Sequence, residues 1–449
     1  AVRGRGVGGR HGAGMVGVVD VPLDEEREPI LAEGHLEAGQ LHPTLLLGEL
    51  GLRGDLRPIR GALPIALAAR AMGCSEVILP AANLAEAAVV DGVRVRGAAT
   101  LRQVCAHLGG EEPLSAARTD PSALLADARA DVADLSDVRA QAAAKRALEV
   151  AAAGAHNVLL IGPPGAGKTM LARRLPGILP SLTLDEALDV TRIHSVAGLL
   201  PAGRALITTR PFRAPHHTVS YAGLIGGGAV PRPGEVSLAH HGVLFLDEVA
   251  ELPANVLEVL RQPLEDGTVT ISRAAMTLSY PARFLFVAAM NPCPCGYAGD
   301  PSRACCCPPQ AVQRYLARIS GPLLDRMDIH LSVPPVAYAD LASRKPAERS
   351  DAIRSRVEAA RERQLARFRG LPGLYANAHM GPREIARYVP VTPTIEGVLR
   401  SAIERLGLSA RAYHRVLKLA RTLADLAGSD ELTAAHVTEA VQYRVLDRS

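Results

Sequence analysis

Residues 157–169 read NVLLIGPPGAGKT, and the reading of this stretch decides the fold. Val158, Leu159, Leu160 and Ile161 predict a short buried strand. The loop Gly162-Pro163-Pro164-Gly165-Ala166-Gly167-Lys168-Thr169 follows at once, with the spacing G-x-x-x-x-G-K-[ST], and Met170 opens a helical run, MLARRL. A phosphate chain needs this order of elements. Glycines let the backbone curl so that its N–H groups point inward, and the following helix adds the positive end of its dipole. Lys168 is placed to reach the β- and γ-phosphates, and Thr169 to hold Mg²⁺. The bland alternative is a Gly/Pro turn ahead of a surface helix. The complete motif in its strand–loop–helix setting argues against it.

Outward from this loop, 449 residues predict two or three domains. An apolar fraction of 48% without tryptophan points to an α/β chain built on Ala, Leu and Val. The net charge of +4 neither demands nor excludes nucleic acid; a local basic surface would be needed. No apolar run reaches the roughly 18 residues of a membrane span, and no signal peptide is evident, so a cytoplasmic protein is expected. The seven cysteines, five of them within 293–307, do not form the pattern of a secreted disulfide framework.

Residues 1–44, opening AVRGRGVGGRHGAG, are Gly/Arg-rich and aperiodic; they read as a basic arm or a mistranslated start and receive no function. Residues 45–110 alternate strand and helix signals: a hairpin at 51–57, a helix at 62–72, a strand at 76–79 and a helix at 101–108. Residues 111–133 read as a linker, and 134–154 as a helix leading into the 158–161 strand. The nucleotide-binding core is expected over 134–335. A helical region follows over 336–449, with helices at 347–368, 394–406, 410–426 and 433–443.

Within the core, GVLFLDE at 242–248 is a strand ending in two carboxylates. Downstream of a phosphate loop, Asp247 would hold Mg²⁺ and Glu248 would polarise the attacking water. FLFVAAMNP at 284–292 is a third strand, and Asn291 at its tip would sense a γ-phosphate or its water; a plain loop Asn is the alternative. Arg326, in GPLLDRMD, is a guanidinium for the γ-phosphoryl oxygens of a neighbouring subunit's nucleotide. Its alternatives are an ion pair with Asp325 or Asp328, and Arg318 is a rival. Arg411 opens a late helix as the lid arginine, with Arg415 as second choice.

Three further clusters are readable. Arg210, Phe212, Arg213, His216, His217 and Tyr221, followed by Gly226-Gly227-Gly228, suggest a mobile pore-facing loop that grips a backbone, against a structural loop. A metal role for the His pair finds no carboxylate at close spacing. Cys293, Cys295, Cys305 and Cys307 can place four thiolates around Zn²⁺, with Cys306 spare; reduced structural cysteines are the equal alternative. The arginine-rich helix at 344–369 reads as a solvated face, with phosphate contact as the competing reading.

Taken together, GPPGAGKTMLARRLPGILP, RPFRAPHHTVSYAGLIGGG, PGEVSLAHHGVLFLDEVAEL, MNPCPCGYAGD and RISGPLLDRMDIH resemble the AAA+ ATPases and, among them, the magnesium chelatase-like YifB/ComM family, over residues 45–449. The resemblance implies a P-loop AAA+ core with a parallel sheet, a helical C-terminal lid, and a ring of six subunits that hydrolyses ATP with Mg²⁺. It makes 162–169 the Walker A loop, Asp247 and Glu248 Walker B, Asn291 sensor 1, Arg326 the arginine finger and Arg411 sensor 2. ComM-type members are linked to branch migration of DNA during transformation. The alternatives are the ATPase subunit of a metal chelatase and a protein-remodelling ATPase. Residues 45–110 resemble the end of a truncated Lon-protease-like α/β domain. Leu63, Pro64 and Ile65 stand where that family has its catalytic lysine, and no lysine lies between Arg53 and Lys145, so a degenerate docking module is expected. Ala140 stands where the family usually has Gly before Gln141, which weakens the expected adenine-side contact.

Overall fold

The computed structural model describes residues 43–126, 132–201, 203–228, 231–273, 276–300, 303–336, 347–371, 373–406 and 409–444. The chain divides into two compact units, one of the described residues up to 126 together with Leu182–Thr208, the other of the remainder.

In the first unit, Thr44–Leu46, Glu76–Pro80 and Arg94–Ala98 pair in parallel, and Ala116–Ala117 adds antiparallel to the last. EVILP is a nearly unbroken apolar run because helices cover the sheet. The helix Ala62–Ala71 turns Leu63, Ala66 and Ala69 inward at helical spacing. Leu101–Leu108 begins at a capping box made by Thr100 and Gln103. The hairpin and helices expected over 51–108 are present. The expected linker at 111–133 is not purely a linker: it contains the Ala116–Ala117 strand and the helix Pro121–Ala126. A second difference is the helix Leu184–Ala197, capped by Thr183 and Glu186, which belongs to this unit although its sequence lies inside the segment expected as nucleotide core.

The second unit is built on five parallel strands in the order Ile329–Ser332, Val158–Ile161, Leu285–Met290, Val243–Leu246, Phe212–Arg213. VLLI, VLFL and LFVAAM are each buried along their whole length, as a sheet with both faces covered requires. This parallel sheet with its helical C-terminal region is the α/β arrangement expected of a P-loop AAA+ core. The crossovers gather the loops after Ile161, Leu246 and Met290 at one edge of the sheet, where doubly wound folds bind ligands.

The expected helix over 134–154 starts later, at Ala142, because Ala140 and Gln141 adopt left-handed φ values of 53° and 55°. Helices Ser350–Arg367, Pro393–Leu406, Ala410–Leu426 and Ala434–Gln442 occur close to their expected places. Val357, Ala360, Val416 and Ala420 share one hydrophobic core with Leu148, Val158, Leu160 and Phe245, so the C-terminal helices are continuous with the sheet. Asp425 lies buried among Arg367, Arg421 and Asn377; Arg367 Nη1 and Asn377 Nδ2 each donate to its Oδ2 at 2.8 Å. An antiparallel hairpin, Thr268–Arg273 with Met276–Pro281, precedes the Leu285–Met290 strand and was not expected. Among the described residues no helix is long and apolar enough to cross a membrane.

Candidate nucleotide-binding site

The glycine loop leaves the sheet at Gly162, where a Cβ would lie 2.2 Å from the Val333 carbonyl oxygen; no larger residue fits. Gly165 and Gly167 hold φ of 79° and 88°, the left-handed region that turns the loop back to the helix Lys168–Arg174. Lys168 is buried. Its Nζ donates to the carbonyls of Gly162 at 2.6 Å and Pro163 at 2.9 Å, and to Asn291 Oδ1 at 3.1 Å. Burial pulls this ammonium below its ordinary pKa, with Asp247 and Glu248 opposing. Thr169 Oγ1 donates to Asp247 Oδ2 at 2.6 Å, and the Glu248 N–H donates to Asp247 Oδ1 at 2.9 Å. Met170 is exposed beside the loop. Three separate strand ends therefore bring Lys168, Thr169, Asp247, Glu248 and Asn291 together. The loop's inward curl suits a triphosphate, and the paired hydroxyl and carboxylate suit Mg²⁺.

One neighbour was missed from sequence. His217 Nδ1 stands 3.4 Å from Glu248 Oε2, so the close carboxylate denied to the His pair is supplied from 31 residues away. Glu248 itself has φ 49°, a strained setting for a non-glycine residue.

The arginines lie elsewhere. The Asp328 N–H donates to the Asn157 carbonyl at the start of the Val158–Ile161 strand, a strand's length of about 13 Å from the glycine loop. Arg326 sits there, its side chain 19% exposed, paired with Glu265 and donating to the Pro322 carbonyl at 2.6 Å. Its expected alternative partners are taken by others: Asp325 pairs with Arg411 and Asp328 with Arg415. Arg411 is 72% exposed. Arg326 and Arg411 thus stand at the edge of the sheet opposite to their own phosphate loop, and the lid arginine does not join the chain's own site. Arg318, the rival, is paired with Glu251 at 2.7 Å.

Beyond Asn291, the chain turns into the cysteine loop. The Sγ atoms of Cys293, Cys295, Cys305 and Cys307 all lie within 4.8 Å of one another, with Cys293–Cys295 at 3.4 Å and Cys305 at 3.6 Å from both. Backbone N–H groups point at the sulfurs: Ala298 at Cys293, Cys295 at Cys307, and Cys307 at Cys305, at 3.3–3.4 Å. N–H groups of Tyr297 and Cys306 pull the Cys295 thiol down to about 6.

Residues 134–341 match the family model of magnesium chelatase, subunit ChlI, residues 347–444 that of its C-terminal region, and residues 30–83 that of subunit ChlI of Mg-chelatase. The chain is 43% identical over 421 residues to the uncharacterized protein YifB of Escherichia coli, covering 93% of this chain and 80% of the relative. It is 42% identical over 423 residues to the competence protein ComM of Haemophilus influenzae, covering 93% and 81%. The chain belongs to the YifB/ComM family. A magnesium-chelatase 38 kDa subunit from Rhodobacter capsulatus is more distant, 27% identical over 194 residues, with 39% of this chain and 55% of the relative covered.

In this YifB/ComM chain the loop expected to be mobile is tied down. Arg213 donates to both Glu235 oxygens at 2.6 and 2.7 Å, and Arg210 to the carbonyls of Pro180 and His241 at 2.5 and 2.7 Å. Gly226–Gly227 is a strand on Arg232–Pro233, and a Cβ on Gly226 would lie 2.3 Å from the Arg232 carbonyl oxygen. These glycines serve close approach rather than mobility. Tyr221 remains half exposed. The basic helix is likewise engaged: Arg356 with Glu149 and Glu348, Arg361 with the carbonyls of Ala152 and Ala153, Arg367 with Asp425. Arg344 and Lys345 lie outside the described residues.

Proposed function

We propose that this chain is a Mg²⁺-dependent ATPase of the AAA+ class that acts as a ring of six subunits and remodels or translocates DNA in the cytoplasm. The observation that carries the ATPase reading is the convergence of Lys168, Thr169, Asp247, Glu248 and Asn291 at one sheet edge. Lys168 and the loop amides bind the phosphates. Thr169 and Asp247 would hold Mg²⁺, which would supply charge neutralisation for the phosphates. Glu248 accepts a proton from the attacking water and turns it in line, and Asn291 fixes that water or the γ-oxygens. His217 competes for Glu248 and sets how far its carboxylate reaches.

The ring reading rests on Arg326 and Arg411 lying opposite to their own site, where a neighbouring subunit's nucleotide would meet them. The DNA reading rests on the ComM relative, a competence protein that spans most of this chain; the chelatase relatives are matched over shorter stretches at lower identity. Cys293, Cys295, Cys305 and Cys307 are assigned one structural Zn²⁺. Residues 45–110 are assigned as a degenerate Lon-like module for docking: their helix Ala62–Ala71 carries no lysine.

The test is ATP turnover measured without addition, with single-stranded DNA, with branched DNA and with a porphyrin. Glu248→Gln is expected to bind ATP and not to turn it over; Lys168→Ala is expected to bind weakly. Equal turnover in wild type and Glu248→Gln overturns the role given to Glu248 as the residue that activates water. Stimulation by porphyrin and not by either DNA overturns the DNA reading in favour of a chelatase subunit.

A further inference from the structure

The cysteine loop and the phosphate loop are in contact, and two of their features meet at Asn291. Cys293, fully buried, lies two residues after Asn291, whose Oδ1 receives the Lys168 ammonium at 3.1 Å. Gly296 follows with φ 88°; a Cβ there would lie 2.7 Å from Pro164 Cδ, so the turn between the cysteines rests directly on the phosphate loop. The Arg303 guanidinium lies over the Tyr297 ring at 4.1 Å, linking the two cysteine arms.

The stretch from 293 to 307, CPCGYAGDPSRACCC, has one large apolar side chain, Tyr297, and so little to bury. Something other than a hydrophobic core must close it. The sulfur spacings say what. A disulfide needs about 2.05 Å, and no pair is that close. Tetrahedral Zn²⁺ with Zn–S of about 2.3 Å sets its sulfurs about 3.8 Å apart, near the 3.4–3.6 Å seen.

We propose that this zinc knuckle is a strut for the nucleotide site: with Zn²⁺ on the four cysteines, the turn at Gly296 seats Pro164 and the chain at Cys293 holds Asn291 against Lys168, and loss of the metal weakens nucleotide binding. The proposal rests on the zinc assignment above. Cys293, Cys295, Cys305 and Cys307 are ligands; Gly296 and Asn291 are the positioning residues through which the metal acts.

The test uses the full chain, purified under reducing, chelator-free conditions. Metal analysis is expected to find about one Zn²⁺ per chain. A zinc-selective chelator that spares Mg²⁺ is then expected to weaken binding of a fluorescent ATP analogue about tenfold, the scale on which supporting contacts around a site act, while circular dichroism stays unchanged. Added Zn²⁺ should restore binding. Gly296→Ala keeps every ligand and pushes a methyl group into Pro164; it should retain zinc and lose analogue affinity. Cys305→His, which preserves a ligand, should retain both. Absence of zinc overturns the zinc assignment and the strut together. Zinc present with analogue binding unchanged by stripping and by Gly296→Ala overturns the strut alone. Tight analogue binding that responds to zinc, without turnover in any condition, supports the strut and overturns the ATPase reading instead.

Discussion

Acidification offers a quantitative test of the second unit's interior. His240 and His330 are buried there, and burial, with Arg283 and His241 beside the first and Arg444 beside the second, pushes each from its ordinary 6.5 down to about 3. The geometry agrees. His240 Nδ1 accepts the Arg283 N–H at 3.0 Å, which needs a bare nitrogen, and neither ring nitrogen of His330 finds a side-chain or backbone acceptor among the described residues. Both rings are therefore neutral in the fold and free to protonate only on unfolding. The sign follows: stability is full above pH 6.5 and falls as pH drops from there towards 3. At about pH 5.5 the unfolded chain gains RT ln 11, about 1.4 kcal/mol, per histidine, or roughly 3 kcal/mol for the two. Carboxylates of ordinary pKa remain ionised there, so the window isolates imidazoles. His156, fully buried and also pushed down by burial against the pull of Asp328, acts in the same direction. Urea unfolding at about pH 8 and about pH 5.5 measures the loss, and His330→Leu should shrink it by about 1.4 kcal/mol. Equal midpoints at the two pH values in wild type, or a His330→Leu variant as acid-sensitive as wild type, would refute the reasoning.

Arg326→Ala should spare ATP binding and lower turnover by roughly 10³–10⁵, the range of arginine fingers. Mixed with Lys168→Ala chains, each inactive alone, it should regain partial activity, because some interfaces then pair an intact loop with an intact Arg326; silence in subunits shown to exchange argues against action in trans. Ala140→Gly should stabilise the chain by about 0.5–1 kcal/mol, since a non-glycine residue at φ 53° carries a penalty that glycine escapes; an unchanged or lower urea midpoint would contradict this.

The strands that carry the site were legible because a parallel strand covered on both faces must be apolar throughout, and VLLI, VLFL and LFVAAM have no other reading beside a glycine loop. The bond from Thr169 to Asp247 spans 78 residues, yet each end had its own local motif. Partnerships lacking such motifs stayed hidden. Arg356 meets Glu149 from 207 positions away, and nothing near Arg356 says that its charge is already spent. Gly226 looked mobile because the carbonyl it makes room for, that of Arg232, becomes a neighbour only when the Gly226–Gly227 and Arg232–Pro233 strands pair. Leu184–Ala197 looked like any amphipathic helix, and only tertiary packing assigns it to the first unit. The Thr268–Pro281 hairpin does leave a trace in the sequence, the alternation in TVTIS after Asp266-Gly267.

If Arg326 serves a neighbour's phosphate loop, as proposed, then with loop and arginines at opposite edges of one sheet each chain is a plug on one side and a socket on the other. An open row of such chains always has one fewer working junction than it has members, and its last socket idles. Closing the row adds a junction without adding a chain. Turnover per chain should then climb with dilution reversed, levelling off where closure is complete, and a substoichiometric dose of chains lacking Arg326 should idle the sockets that they face while their own sockets, served by intact neighbours, keep working.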